Sequence, residues 1–208
     1  MYEGKGALYY ENGEIAYEGE FSQGKKNGIG REYTEKGELR YEGSFAEDIY
    51  SGEGILYSSG KIVCQGEFAE GEYNGTGLLY DAKTGILLYN GTFERGEYAG
   101  QGRLYDLKTQ NLLYEGEFYS GLYDGQGKLY NAKTQDLLYE GGFREGKYDG
   151  QGRSYSEEGV LSYEGEFSLG TYNGNGKLYD LTTGQVVYEG VFYKNTPMST
   201  VSAEEGPF

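Results

Sequence analysis

Residues 114–130 read YEGEFYSGLYDGQGKLY, and this stretch contains the features that decide the fold. In Tyr114-Glu-Gly-Glu-Phe118, aromatic or small residues alternate with glutamates, a period of two that is typical of a β-strand with one buried face. Gly125 lies seven residues after that phenylalanine and forms a Gly-x-Gly pair with Gly127. Tyr130 follows three residues after the second glycine. The stretch therefore predicts a strand, a short glycine-containing loop and a second strand.

The same unit recurs along nearly the whole chain. Eight copies of the aromatic-x-Gly-x-Phe core are present, with Cys64 at the tyrosine position of the third. A Gly-x-Gly pair follows each of the first seven cores at constant spacing, and another pair, Gly4 and Gly6, opens the chain. Only the segment from the tyrosine after each pair to the next core varies, from 7 to 9 residues. Length variation confined to one segment marks it as a turn.

These spacings predict an all-β fold, an elongated single-layer antiparallel meander of about eight β-hairpin repeats. No apolar period of 3.6 residues occurs, so no helix is predicted. We expect the array to span residues 1–195, with a half repeat at each end, and residues 196–208 to form a flexible or capping tail. Because an unpaired strand edge is a template for another strand, the two ends predict either end-to-end self-association or a further flanking segment that caps the edge.

The glycines of the repeat need a physical reason, because glycine in a strand costs about 0.5–1 kcal/mol relative to alanine. A strand glycine often marks the close approach of another group, and the rings of adjacent strands are the obvious candidates here. We therefore predict a structural role for the tyrosine, the phenylalanine and the two glycines of each repeat. In the first and fifth repeats these residues are Tyr17, Phe21, Gly28, Gly30, Tyr114, Phe118, Gly125 and Gly127.

The repeat resembles the MORN (membrane occupation and recognition nexus) repeat, from Gly4 to about Phe192. The resemblance implies a long, twisted sheet with one hairpin per repeat, and roles in protein binding, scaffolding or lipid association. This chain lacks the tryptophan that many family repeats carry at the phenylalanine position, and most of the basic loop residues. The longer turns indicate a bacterial-style array.

Composition excludes several classes of function. A net charge of −16 opposes nucleic-acid binding, which depends on Lys and Arg contacts to phosphate, and direct binding to anionic lipid. Without histidine, and with one cysteine at a repeat position, neither a Ser/His/Asp nor a Cys/His centre can be built. The glutamates recur with the repeat, which favours a solvated strand face over a catalytic pair. We predict that the chain is not an enzyme, with no catalytic residue, cofactor or metal site.

Two other groups of residues are interpreted as structural or as binding residues. The turn residues Asp81, Asp106, Asn131 and Asp180 are explained by turn chemistry, without bound calcium. A tyrosine stands two residues before most Gly-x-Gly pairs, and it either packs between neighbouring hairpins or lines an aromatic groove, since tyrosine is favoured where binding energy concentrates. The candidate partner-binding residues are Tyr73, Tyr98, Tyr123, Tyr148 and Tyr172.

The predicted function is that of a protein-binding scaffold with a protein or peptide partner. The alternatives are a ligand-binding module at a cell surface, for glycan or lipid, and an antitoxin or immunity-type binding protein. No signal peptide and no apolar run of transmembrane length is visible. We expect a cytoplasmic location, or else a soluble domain of a longer membrane-anchored bacterial protein.

Overall fold

The chain is all-β in a computed structural model that describes residues 2–198. Strands follow one another along that range, and no helix occurs within it. The strands are β1 Gly4–Tyr9, β2 Ile15–Ser22, β3 Lys25–Tyr33, β4 Leu39–Ala46, β5 Ile49–Ser58, β6 Lys61–Ala69, β7 Glu72–Tyr80, β8 Leu87–Glu94, β9 Glu97–Tyr105, β10 Leu112–Tyr119, β11 Leu122–Tyr130, β12 Leu137–Arg144, β13 Lys147–Tyr155, β14 Leu161–Ser168, β15 Thr171–Tyr179, β16 Val186–Tyr193 and β17 Thr196–Pro197.

The strands divide between two compact units. The first unit comprises residues 2–112 and 118–121, and the second comprises residues 113–117 and 122–198, so β10 contributes residues to both. Within each unit the strands pair antiparallel with their neighbours in the chain, as β2 does with β1 and β3. The prediction of an all-β antiparallel meander of hairpin repeats is confirmed.

One face of the sheet in each unit, called here the aromatic face, carries the core. Tyr17 is fully buried and Phe21 is 5% exposed, and their rings meet edge to face with centroids 5.2 Å apart. Tyr17 makes the same contact, at 5.0 Å, with Phe45 of the next repeat. Edge-to-face ring pairs of this kind contribute about 0.5–1.5 kcal/mol beyond the area they bury. A continuous row of rings therefore takes the place of a second layer.

Each core tyrosine also satisfies a backbone group. The pairing of β2 with β3 shifts register between Gly19 and Phe21, and the Tyr17 hydroxyl donates to the carbonyl of Glu20 inside this bulge at 3.0 Å. The third repeat keeps the shift although Cys64 replaces the tyrosine, so the hydrogen bond satisfies the bulge without being needed to form it. The same bond, at 2.9–3.1 Å, is donated by Tyr41, Tyr89, Tyr114, Tyr139, Tyr163 and Tyr188.

The two glycines of a Gly-x-Gly pair are present for different reasons. Gly28 has a φ of 99°, a left-handed conformation that side chains rarely adopt. Gly30 lies beneath the Tyr17 ring, where an added β-carbon would come within 2.5 Å of the ring carbons Cε2 and Cζ. The first glycine therefore provides backbone freedom, and the second leaves room for a ring.

The opposite side of the sheet, called here the polar face, carries charges in cross-strand rows. Arg31 lies between Glu18 and Glu42, with nitrogen–oxygen distances of 3.8 and 3.2 Å, and the Tyr33 hydroxyl donates to Glu18 at 2.6 Å. Exposed ion pairs such as these contribute about 0–1 kcal/mol each. Their main effect is therefore on the charge pattern of this face. The second unit repeats the arrangement with Arg153, Glu140 and Glu164.

The turns between repeats are closed by their own side chains. Asp81 accepts hydrogen bonds from the hydroxyl and the backbone N–H of Thr84, both at 2.7 Å, and from the N–H of Lys83 at 3.2 Å. The bonds from Thr84 lower the pKa of Asp81. These bonds give the carboxylate oxygen a structural role within the turn. Asp106 and Asp180 make equivalent bonds to Thr109 and Thr183.

A short strand follows β16. Thr196 pairs with Tyr193 and Pro197 pairs with Phe192, so β17 covers only one end of the β16 edge. Residues 199–208, the rest of the predicted tail, lie outside the described residues. The boundary at residue 196 and the flexible or capping role of the tail stay predictions.

Candidate binding surfaces

The candidate partner-binding tyrosines form a ladder against the core. Tyr98, Tyr123, Tyr148 and Tyr172 each stack flat on the core tyrosine of the preceding strand, with ring centroids 3.7–4.0 Å apart. Each ladder ring also meets the phenylalanine of the following repeat edge to face, as Tyr148 meets Phe167 at 5.7 Å. One ring face is thus covered, and the side chains are half-buried. Their role in binding a partner stays a prediction.

The ladder changes character in the first and third repeats. Lys26 occupies the ladder position of the first, with its Nζ 5.1 Å from the centroid of the Tyr17 ring, so a cation takes the place of a stacked ring. In the third, Tyr73 has Cys64 beneath it and stacks on no described ring, and it meets Phe68 and Phe93 edge to face at 5.2 and 5.7 Å. The ladder is therefore least uniform in the first unit.

A groove that the sequence did not predict lies on the polar face of the first unit. It is open to solvent, has a volume of about 810 Å³, and is lined by residues of β1 to β6. Ile29, which is 62% exposed, and Ile55 form its apolar part. The sequence indicated a solvated strand face here, because a concave surface depends on the twist of paired strands. Its charged lining consists of Glu18, Glu20, Glu42, Glu53, Lys5 and Arg31.

At one side of this groove two carboxylates face each other. Glu53 on β5 lies directly opposite Glu67 on β6, an arrangement that destabilises a strand pair. Hydrogen bonds from the hydroxyl and the N–H of Thr76, at 2.7 and 3.3 Å, lower the pKa of Glu67 and keep it ionised. Within residues 2–198 no Lys or Arg forms an ion pair with either carboxylate. The two groups therefore present uncompensated negative charge.

Strand β6 departs from the repeat on both of its faces. Cys64 replaces the core tyrosine, and Gln65 replaces the glutamate that stands at this position of the polar face in most repeats. Gln65 lies opposite Ile55 on one neighbouring strand and Leu78 on the other. The row of alternating charges is thus interrupted by a neutral, partly apolar strip beside the two carboxylates.

The family model of the MORN repeat matches seven segments of the chain, which together cover more than half of it. The chain belongs to the MORN repeat family. The resemblance given above is thereby confirmed. No curated protein sequence matches the chain. The matched segments are residues 17–38, 41–61, 64–84, 89–106, 114–133, 139–159 and 163–180.

Membership of the MORN family agrees with the chemistry of the described residues. MORN repeats are generally non-catalytic modules that bind proteins or membrane lipids. Cys64 is 1% exposed, and burial raises the pKa of its thiol to about 12, so the thiolate needed by a nucleophile is disfavoured. Among residues 2–198 no group of three or more His, Cys, Asp or Glu is arranged to hold a metal ion. No described helix is long and apolar enough to span a membrane.

Proposed function

We propose that this MORN protein is a non-catalytic scaffold whose polar-face groove in the first unit receives a segment of a partner protein. The segment is apolar along one stripe and basic at its rim. The observation that carries the proposal is the Glu53–Glu67 pair beside the strip formed by Ile55, Gln65 and Leu78. A partner cation would relieve the repulsion between the two carboxylates, and an apolar side chain would cover the strip.

The energetic reasoning follows the general behaviour of interfaces. Surface charges mainly set the rate and salt sensitivity of association, while buried apolar contacts set most of the affinity. Glu53 and Glu67 repel each other in the free protein and attract the basic groups of a partner. The electrostatic interactions of the two carboxylates are therefore unfavourable before binding and favourable after it. Leu78 and Ile55, both half-buried, provide apolar area that a partner covers.

The ladder tyrosines form a second candidate surface for the same function. Their rings have one face covered by a core tyrosine and are half-buried, so the area left for a partner is smaller than that of a free ring. The ladder and the groove make different predictions about which substitutions release a partner. Comparing them distinguishes the two surfaces.

The experiment is affinity capture from a lysate of the source cells, with captured proteins identified by mass spectrometry. The groove variant combines Glu53→Gln and Glu67→Gln, and its matched control combines Glu145→Gln and Glu157→Gln, two exposed glutamates outside the groove. The ladder variant replaces Tyr98, Tyr123 and Tyr148 by Ala. We expect the groove variant to lose partners, by about tenfold in recovered amount, and the control to retain them.

Three results would contradict the proposal. If the groove variant retains all partners, the groove is not the binding site. If partners are lost only in a folded ladder variant, the ladder tyrosines form the binding site instead. Capture of no protein above the background of an unrelated acidic protein would argue against a protein-binding function altogether. Circular dichroism of each variant shows whether it is folded.

A further inference from the structure

Each repeat pairs a strand that gives a ring with a strand that receives it, and this pairing is called a junction here. Between β4 and β5, Tyr41 pairs with Leu56, Gly43 with Gly54, and Phe45 with Tyr50. The Tyr41 ring lies over Gly54, where an added β-carbon would come within 2.5 Å of Cζ. Tyr50 then stacks on Tyr41 at 3.8 Å. A complete junction therefore has a tyrosine on the giving strand, and a ladder tyrosine and a bare glycine on the receiving strand; the first and third repeats each lack one of the two tyrosines and still pair.

Strand β16 is a giving strand, and residues 2–198 contain no complete receiving strand for it. It carries the full motif, with Tyr188, Gly190 and Phe192 at the positions of Tyr41, Gly43 and Phe45. Tyr188 is only half-buried, whereas the core tyrosines of the preceding repeats are fully buried. Val187 and Val191 on the same strand are 58% and 49% exposed. The β16 edge thus leaves apolar surface uncovered.

The segment after β16 begins a receiving strand and then departs from the motif. Pro197 stands at the ladder position, opposite Phe192, and Met198 accepts a hydrogen bond from the Tyr188 hydroxyl at 2.6 Å. The two positions that are glycine in every internal receiving strand are Ser199 and Val201 in the sequence. Because the second of these positions must accommodate a ring, a valine there does not fit the motif.

Strand β1 has the opposite character, since it carries the receiving motif. Tyr2, Gly6 and Leu8 correspond to Tyr50, Gly54 and Leu56. Tyr2 is 64% exposed, and an added β-carbon on Gly6 would meet only the ring edge of Phe21, at 3.3 and 3.5 Å. No described ring lies over Gly6 as Tyr41 lies over Gly54. The strand therefore keeps the bare backbone of a junction on its outer edge.

We propose that two copies of this 208-residue chain associate head to tail, with β16 of one copy pairing with β1 of the other in the internal register. Tyr188 then lies over Gly6 of the second copy and pairs with its Leu8, and Gly190 pairs with Gly6. Tyr2 of the second copy stacks on Tyr188 and displaces Pro197. Because the two surfaces differ, the contact is heterologous, and a pair of copies still has one free edge of each kind to which a further copy can bind.

The salt dependence of this association distinguishes it from an association held by ion pairs. Each copy carries a net charge of −16, so copies repel one another at low ionic strength. The junction itself is made by rings, glycines and backbone hydrogen bonds, which salt does not weaken in the same way. Added salt screens the repulsion and therefore strengthens the association.

The test uses sedimentation velocity of the full chain over a range of protein and salt concentrations. Gly6→Ala blocks the receiving edge, because the equivalent β-carbon at internal positions would overlap a tyrosine ring. Gly190→Ala blocks the giving edge, because a β-carbon at the equivalent Gly43 would lie 2.5 Å from the facing glycine Cα. Ala7→Ser and Glu189→Gln are the matched controls, since each changes a neighbouring residue on the opposite face of its strand and neither residue lines the groove.

We expect the unaltered chain and both controls to form a concentration-dependent series that grows with salt. Each glycine variant should associate at least about tenfold more weakly, the effect of an overpacked contact. An equimolar mixture of the two variants should form one-to-one dimers and nothing larger, because one edge of each copy stays intact. A monomeric unaltered chain, equal association of all variants, or a mixture that stays monomeric would each overturn the proposal. None of these results bears on the proposal that the groove binds a partner, since the groove variants are assayed separately.

Discussion

The phenol ring of Tyr114 lies against the backbone of Gly127 on the neighbouring strand. A β-carbon added to Gly127 would come within 2.5 Å of the ring carbon Cζ and 2.6 Å of Cε2, distances at which one group must move. The ring is held from its other side by Tyr123, stacked at 3.8 Å, and Tyr114 is fully buried. The absence of a side chain at Gly127 therefore leaves the space that the core ring of this repeat occupies.

Replacing Gly127 by Val tests this relationship directly. We expect the free energy of unfolding to fall by about 1–3 kcal/mol, the usual range for overpacking, because the Tyr114 ring cannot shift away from the stacked Tyr123. The matched control is Gln126→Val, which places the same side chain on the same strand at an exposed position of the polar face. Equal losses in urea unfolding of the two variants would contradict the contact between ring and glycine.

The hairpin repeat was predictable from the sequence because its causes are local. The period of two in Tyr114-Glu-Gly-Glu-Phe118 and the constant distance to Gly125 and Gly127 specify two strands and their loop. The argument that a ring covers a strand glycine also rested on residue type and spacing alone. The structure adds which glycine receives the ring, and it shows that Gly125 instead has a φ of 95°.

The groove and the bulges were not predictable, because they depend on how paired strands are placed in space. Glu20 and Glu67 look equivalent in the repeat, yet the structure places Glu67 opposite Glu53. The counterpart pairing places Glu20 opposite Lys5, so only one of these two strand pairs has facing carboxylates. A register shift within each strand pair decides such neighbours, and the repeat pattern does not reveal it.

The ladder tyrosines are expected to stabilise the fold through their rings and not through their hydroxyls. Tyr148→Ala removes a ring stacked on Tyr139 at 3.7 Å and should lower the free energy of unfolding by about 1–2 kcal/mol. Tyr148→Phe keeps the stack and should stay within about 0.5 kcal/mol of the unaltered chain. Thermal and urea unfolding measure both. A larger loss for Phe than for Ala would show that the hydroxyl dominates.

The third repeat offers the opposite test, a substitution that completes the core. Cys64→Tyr restores the residue found at this position elsewhere, above Gly66 and Gly77, which are retained. We expect a gain of about 0.5–1.5 kcal/mol in the free energy of unfolding, because Tyr73 then acquires a ring to stack on. Cys64→Ser, which keeps the small size but buries a hydroxyl, serves as the control and should not stabilise. If Cys64→Tyr destabilises the chain, the residues around Cys64 fill the space that a tyrosine ring occupies in the other repeats.

Stability should fall at high pH because the core tyrosines resist ionisation. Burial raises the pKa of Tyr17, Tyr41, Tyr89 and Tyr163 from 10.0 to about 12. A folded-state pKa above the unfolded value gives stability that is present below pH 10 and is lost as the pH rises towards 12, because the unfolded chain releases protons first. Each such group contributes a slope of about 1.4 kcal/mol per pH unit in that window.

Urea unfolding at intervals from neutral pH to pH 12 checks this dependence, with ultraviolet absorbance reporting tyrosinate. Tyr89→Phe provides the comparison, since it removes one titrating group while keeping the ring, and its stability should decline less steeply above pH 10. A free energy of unfolding that stays constant through the alkaline range would show that the buried hydroxyls ionise in the folded state as they do in the unfolded chain.

Membrane lipid is the other partner class of MORN repeats, and the charge of this chain predicts that anionic membranes are not bound. Clusters of basic residues are needed to hold a protein on anionic lipid, each worth about 1 kcal/mol near the surface, and the net charge here is −16. Most of the basic side chains identified on the polar face are already paired, as Arg31 is with Glu18 and Glu42. Co-sedimentation with vesicles rich in phosphatidylserine at physiological salt should therefore leave the protein in solution. Cationic vesicles provide the control, since they should retain the protein at low salt and release it as salt is added. Saturable binding to the anionic vesicles at physiological salt would overturn this prediction. It would show that the protein has a lipid-binding surface despite its negative net charge.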